Sequence, residues 1–165
     1  MRNFILLTVI SVALYSCTAS YSFTGTSVGE AKTLSIQTVT NVAPLTPPTY
    51  AQRFTEDLKD NFLRQTNLDL VKLEGDLQLS GFIERYVSAP IATTGDETTS
   101  QNRLTVTVKM KFVNRLDPTQ NFEKNFTRFT DYPSSASLSS VQDALFEDIT
   151  DQLAQDIIQA SIGSW

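Results

Sequence analysis

The stretch from Asn102 to Asn114 (NRLTVTVKMKFVN) alternates without interruption. Leu104, Val106, Val108, Met110 and Phe112 share one parity; Arg103, Thr105, Thr107, Lys109 and Lys111 share the other. Successive side chains of a strand point to opposite faces, so this segment reads as a strand with one apolar and one polar side. The apolar side needs a covering layer; the polar side does not.

Two segments can supply that layer. Tyr50, Phe54, Leu58 and Phe62 recur every four residues with Ala51 beside them, while Arg53, Glu56, Asp57, Lys59, Asp60 and Arg64 lie off the stripe. This is an amphipathic helix, with Thr46 expected as N-cap, proline at the first helical position, and an end near Thr66-Asn67. Val141, Leu145, Ile149, Leu153 and Ile157 repeat the pattern, flanked by Phe146 and Ala160. Ser140 with Asp143 matches a capping box, and Gly163 is expected to stop this second helix after about Ile162.

The remaining strands are less regular. Lys32–Val39 alternates until a frame shift near Val39, and a loop with three prolines follows at Asn41–Pro48. Leu68–Lys72 reads as a short strand piece. Asp76–Ile91 reads as a long strand, with Leu77, Leu79 and Ile83 expected on one face and Phe82 and Tyr86 on the other. Thr93–Gln101 is a polar hairpin loop, Asp117-Pro118 a turn, and Gln120–Tyr132 a fourth main strand stopped by Pro133. The order β-α-β-β-β-α defines an α+β fold: a two-layer sandwich with both helices on one face of a four-stranded, mainly antiparallel sheet. The other face is left open. Residues 31–165 form one such domain.

The N-terminus has a different character. Met1-Arg2-Asn3 precedes an eleven-residue apolar run, Phe4–Leu14, broken only by Thr8 and Ser11. That is short of the ~20 residues of a membrane-spanning helix and fits the apolar core of a secretory signal. Leu14-Tyr15-Ser16-Cys17 resembles a bacterial lipobox, with Tyr15 bulkier than usual. Residues 1–16 are therefore expected to be a lipoprotein signal peptide, and 17–30 a lipidated N-terminus and polar tether. Each buried methylene contributes roughly 0.8 kcal/mol, so two or three acyl chains on Cys17 would make a stable membrane anchor.

Removing the first 16 of 165 residues leaves 149, with 12 basic against 18 acidic side chains. That balance argues against nucleic acid as a partner. The sequence has no histidine and a single cysteine, which excludes Ser-His-Asp catalysis, histidine-ligated metal and, after lipidation, thiol chemistry. The six glycines form no phosphate-cradling loop, so no cofactor is expected. Glu147 and Asp151, one turn apart, are the best remaining acid pair, and a solvated helix face explains them as well. No enzymatic activity is expected. The segment Arg103–Arg128 carries six basic residues and two acidic ones, whereas Val141–Trp165 carries five acidic residues and no basic one. A basic sheet and an acidic helix are implied. Arg103, Lys109 and Lys111 on the open face, with Arg115 beyond them, are the candidates for binding an anionic lipid or a partner. Keeping an exposed sheet soluble is the competing explanation.

Several stretches, in order, resemble one family: CTASYSFTG from Cys17, TLSIQ from Thr33, NVAPL from Asn41, FTEDLKD from Phe54 and GDLQLSG from Gly75. Together they look like the LPS-assembly lipoprotein family LptE. The resemblance implies the same two-helix, four-strand sandwich and a periplasm-facing outer-membrane lipoprotein. It implies an LptD-type β-barrel as partner, which such a protein plugs and helps to assemble, and lipopolysaccharide as the ligand delivered to the outer leaflet. The basic strand could meet lipid A phosphates or the barrel wall; both remain open. Thr18 after the cysteine fits outer-membrane sorting. A role as auxiliary lipoprotein of another envelope complex, a transport system or a cell-wall synthase, is the alternative.

Overall fold

The computed structural model describes residues 28–91 and 100–163. The signal peptide, Cys17, most of the tether and most of the Thr93–Gln101 loop lie outside the described residues.

A six-stranded mixed sheet carries two helices on one side. In chain order the elements are β1 (Thr33–Ile36), β2 (Thr40–Asn41), α1 (Tyr50–Gln65), β3 (Asp69–Leu70), β4 (Leu77–Ile91), β5 (Gln101–Asn114), β6 (Phe122–Pro133) and α2 (Leu138–Ile162). The sheet order is β3-β1-β4-β5-β6, with β2 paired to β4 off this path. β4, β5 and β6 form the expected antiparallel meander. β1 runs parallel to β4, because α1 carries the chain back across the sheet between them. The four expected main strands become six because the first ends at Ile36 and the chain pairs again as the two-residue β2, and because the short piece expected at Leu68–Lys72 joins the sheet as β3.

The alternation of β5 holds in full: Leu104, Val106, Val108, Met110 and Phe112 are all 0–1% exposed. Phe54, Leu58 and Phe62 of α1 and Ile149, Leu153 and Ile157 of α2 complete one continuous core with them. The frame shift near Val39 also holds. The chain leaves β1, and the Val39 amide donates to Thr55 Oγ1 on α1 at 2.9 Å, which seats Val39 in the core.

Three local expectations fail. Tyr86 joins the core face with Ile83, because the register shifts between Ile83 and Arg85; the extra residue, Glu84, flips the parity. Helix α1 starts at Tyr50 with Thr49 as N-cap, while Thr46 donates to the Ala43 carbonyl instead. Helix α2 starts at Leu138 with Ser137 as N-cap, so Ser140 sits inside the helix and forms no capping box with Asp143.

Asp76 ties the sheet together at the end where the chain enters it. Its carboxylate accepts from the amides of Lys32 and Thr33, both at 3.0 Å, and from Thr33 Oγ1 at 2.8 Å. The Lys32 amide bond and the two Thr33 bonds hold the Asp76 carboxyl below its usual range.

Candidate functional site: the open face of the sheet

The face of the sheet opposite the helices is built by alternate residues of β4, β5 and β6. Register places Val87, Thr105 and Phe129 in one row and Phe82, Lys109 and Asn125 in another. Val87 and Phe129 stand in the same row on either side of Thr105, 42% and 47% exposed, so this face carries apolar as well as polar surface. Between the rows, Thr107 is buried and its hydroxyl meets that of Thr127 at 2.9 Å.

The four candidate basic residues do not form one cluster. Arg103 forks onto its cross-strand neighbour Asp131, with Nε at 2.7 Å and the terminal nitrogen at 2.9 Å. Its guanidinium also lies 3.7 Å from the centre of the Phe129 ring. Hydrogen bonding to Arg103 holds the Asp131 carboxyl below its usual range. Lys109 lies six residues away, about 20 Å along the strand, and its Nζ meets Glu123 at 2.8 Å. That hydrogen bond raises the Lys109 pKa and lowers that of Glu123. Lys111 stands directly opposite Glu123 in register and is exposed, with no ion pair of its own among the described residues. Arg115 lies past the end of β5 at the tip of the sheet, where its guanidinium reaches the Glu74 carbonyl at 3.4 Å.

The expected polarisation into a basic sheet and an acidic helix is therefore corrected. Glu123 and Asp131 on β6, together with the bulge residue Glu84, offset much of the charge on the open face; Glu84 accepts from Asn125 at 2.6 Å. Arg128 points to the helix side and holds Asp156 of α2 through two 2.6 Å bonds, and Thr130 on the same side donates to Asp148. The mixed parity of β6 is thereby explained. Phe122, Lys124, Phe126 and Arg128 all face the helices at a sheet edge, where a long cationic side chain can cover apolar surface and still reach water.

Sequence reasoning missed Arg85, Val87 and Phe129 as members of the open face. The bulge hides Arg85 and Val87, since an unbroken alternation puts both on the covered side. Phe129 has the right parity opposite Thr105, but a lone aromatic gives no face signal before the register is known. Glu147 and Asp151 line a polar cleft of about 380 Å³ between the helices, with Arg53, Asp57 and Arg64 across from them. Desolvation raises the Asp57 pKa, the nearby Arg53 opposes that, and Asp151 adds to it. The cleft mixes acids with arginines, and no hydroxyl, thiol or amine side chain lines it.

The fold is an α+β sandwich with one helix-covered and one open sheet face. The family can also be stated: the chain belongs to LptE, the lipopolysaccharide-assembly family, whose model matches residues 31–161. This is a non-enzymatic family of outer-membrane lipoproteins. No curated protein matches the sequence. Among solved structures, the hypothetical protein CT253 from Chlamydia trachomatis is similar, with a TM-score of 0.55 at 8% identity over 81% of this chain and 99% of that one. Protein XCC0632 from Xanthomonas campestris superimposes with a TM-score of 0.55 at 13% identity over 80% and 84% of the two chains. Rare lipoprotein B from Shewanella oneidensis gives 0.49 at 11% identity over 78% and 90%. At such identities the first two show a shared fold.

Proposed function

We propose that this protein is the lipoprotein subunit of a lipopolysaccharide translocon, anchored through Cys17 to the outer membrane and facing the periplasm. Its open sheet face docks against an LptD-type barrel, helps that barrel assemble, and assists delivery of lipopolysaccharide to the outer leaflet. The observation that carries the reading is the sheet itself. One face is closed by α1 and α2, while the other keeps Val87 and Phe129 exposed beside Arg103, with Lys109 and Lys111 about 13 and 20 Å from the Val87–Phe129 row along β5. Apolar surface and cations on one face suit an amphiphile with phosphate groups or the wall of a partner barrel.

The ion pairs rank the cations. A phosphate approaching Arg103 or Lys109 has to compete with Asp131 or Glu123, whereas Lys111 gives up no pair of its own to accept one. Lys111 is thus the first contact and Lys109 the second, and Arg103 with its stacked Phe129 serves as a preorganised plate.

The test is affinity purification of the lipidated protein from membranes after gentle cross-linking. Recovery of a large outer-membrane barrel, with loss of surface lipopolysaccharide on depletion, is the expected result. Recovery of Cys17-lipidated protein with no barrel overturns the proposal, and an inner-membrane or periplasmic complex in its place identifies an auxiliary lipoprotein.

A further inference from the structure

A second exposed surface lies between α1 and the β1–β3 edge, away from the open face. Ile36 forms the floor of a groove of about 400 Å³ there, with Leu70 and Leu73 along it and Lys59 and Lys72 beside them. Leu70 and Leu73 are 39% and 71% exposed. No residue lining the groove is acidic, and neither lysine has an ion-pair partner among the described residues. Leu63, 45% exposed, lies one turn beyond Lys59 on α1 and continues the apolar strip. Leu70 faces this groove because it stands in register with the core residue Leu34; Asp69 takes the opposite face of its strand.

The position of the surface indicates its occupant. Thr33 pairs with Asp69, and the Asp69 amide donates to the Lys32 carbonyl at 2.8 Å. The N-terminal segment therefore joins the sheet against the very strand that carries the groove. Cys17 precedes Val28 by eleven residues, which span at most about 40 Å when fully extended. A lipid on Cys17 holds this end of the domain close to one leaflet, and at that local concentration a small apolar patch docks without needing high intrinsic affinity.

We propose that this groove is a membrane-contact surface. Leu63, Leu70 and Leu73 enter the interfacial layer of the anchored leaflet, and Lys59 and Lys72 lie among its anionic headgroups. The inference rests on the lipid-anchor reading of Cys17 and uses none of the residues assigned to barrel or lipopolysaccharide contact.

The experiment uses the full chain purified from membranes and reconstituted into phosphatidylethanolamine–phosphatidylglycerol vesicles whose acyl chains carry a bromine quencher. A fluorophore is placed at Leu73→Cys or, as control, at Leu45→Cys on the loop before α1, where the side chain is 92% exposed. Quenching several-fold stronger at residue 73, and reduced by Lys59→Glu with Lys72→Glu or by replacing phosphatidylglycerol with phosphatidylcholine, is the expected result. Equal quenching at the two sites overturns the proposal. The mass of the mature N-terminus separates the two readings. An acylated Cys17 with equal quenching overturns the docking alone, and an unmodified Cys17 with equal quenching overturns both. Selective quenching at residue 73 supports the docking where Cys17 is acylated; an unmodified Cys17 removes the anchor on which the docking rests and overturns it.

Discussion

On β5 the face turned to the helices carries Leu104, Val106, Val108, Met110 and Phe112, none more than 1% exposed. The opposite face of the same strand carries Arg103, Thr105, Lys109 and Lys111, held laterally by β6 rather than from above. Fully burying an apolar side chain of this size contributes about 1.5–3 kcal/mol, whereas solvent-exposed ion pairs contribute little once screened. The covered face therefore holds the fold, and the open face is free to vary and to bind. A domain divided in this way can lose its ligand without unfolding.

The comparison breaks most readily in the core. Phe112→Ala, which empties a fully buried ring site stacked 5.3 Å from Phe122, is expected to cost about 3–5 kcal/mol in chemical denaturation. A cost near zero would mean that the helices do not cover β5 as described. Next comes the seam at the edge of the covered layer. Asp76→Asn is expected to cost about 1–2 kcal/mol at neutral pH, since its charged acceptor serves three donors. The Asp76 pKa is lowered in the folded state, so its stabilisation is present above the unfolded carboxylate pKa, roughly 3.9. It is lost as pH falls through the lower folded value. The gap between wild type and Asp76→Asn should close in acid denaturation profiles below about pH 4.

The open face should respond in the opposite sense. Lys109→Glu together with Lys111→Glu is expected to keep the fold, with a slightly lowered unfolding midpoint from repulsion by Glu123, and to weaken lipopolysaccharide binding several-fold. Its measurement is binding to immobilised lipopolysaccharide across a salt series. Unchanged binding would reduce these lysines to a role in solubility. The smallest expected effect is that of Phe129→Ser. It removes a half-exposed ring and the plate beneath Arg103, and should lower the yield of barrel cross-links without altering thermal unfolding.

Much of this division was legible in the sequence, because periodicity reports which side of an element is buried. The parity of β5 and the four-residue stripes of α1 and α2 gave the layers, and the short turns gave the antiparallel meander. Less was legible where one residue alters the period. Glu84 reverses the parity of everything after it on β4, which moves Tyr86 into the core and Val87 onto the open face. Caps were also misplaced at both helix starts, since threonine, serine and proline crowd each loop and offer several equivalent beginnings.

The sequence by itself determined the layers, the absence of histidine and the lipobox-like Leu14–Cys17, because each is a property of local pattern or composition. Only the tertiary structure decided which charges stand alone. Asp131 is 28 residues from Arg103, Glu123 is 14 from Lys109, and Asp156 is 28 from Arg128. Such pairs depend on register and packing across elements, which no local period encodes. The apparent basic strand thus resolves into paired cations and a Lys111 with no ion pair among the described residues, and the groove beside Lys59 and Lys72 emerges only once α1 is laid against the β1–β3 edge.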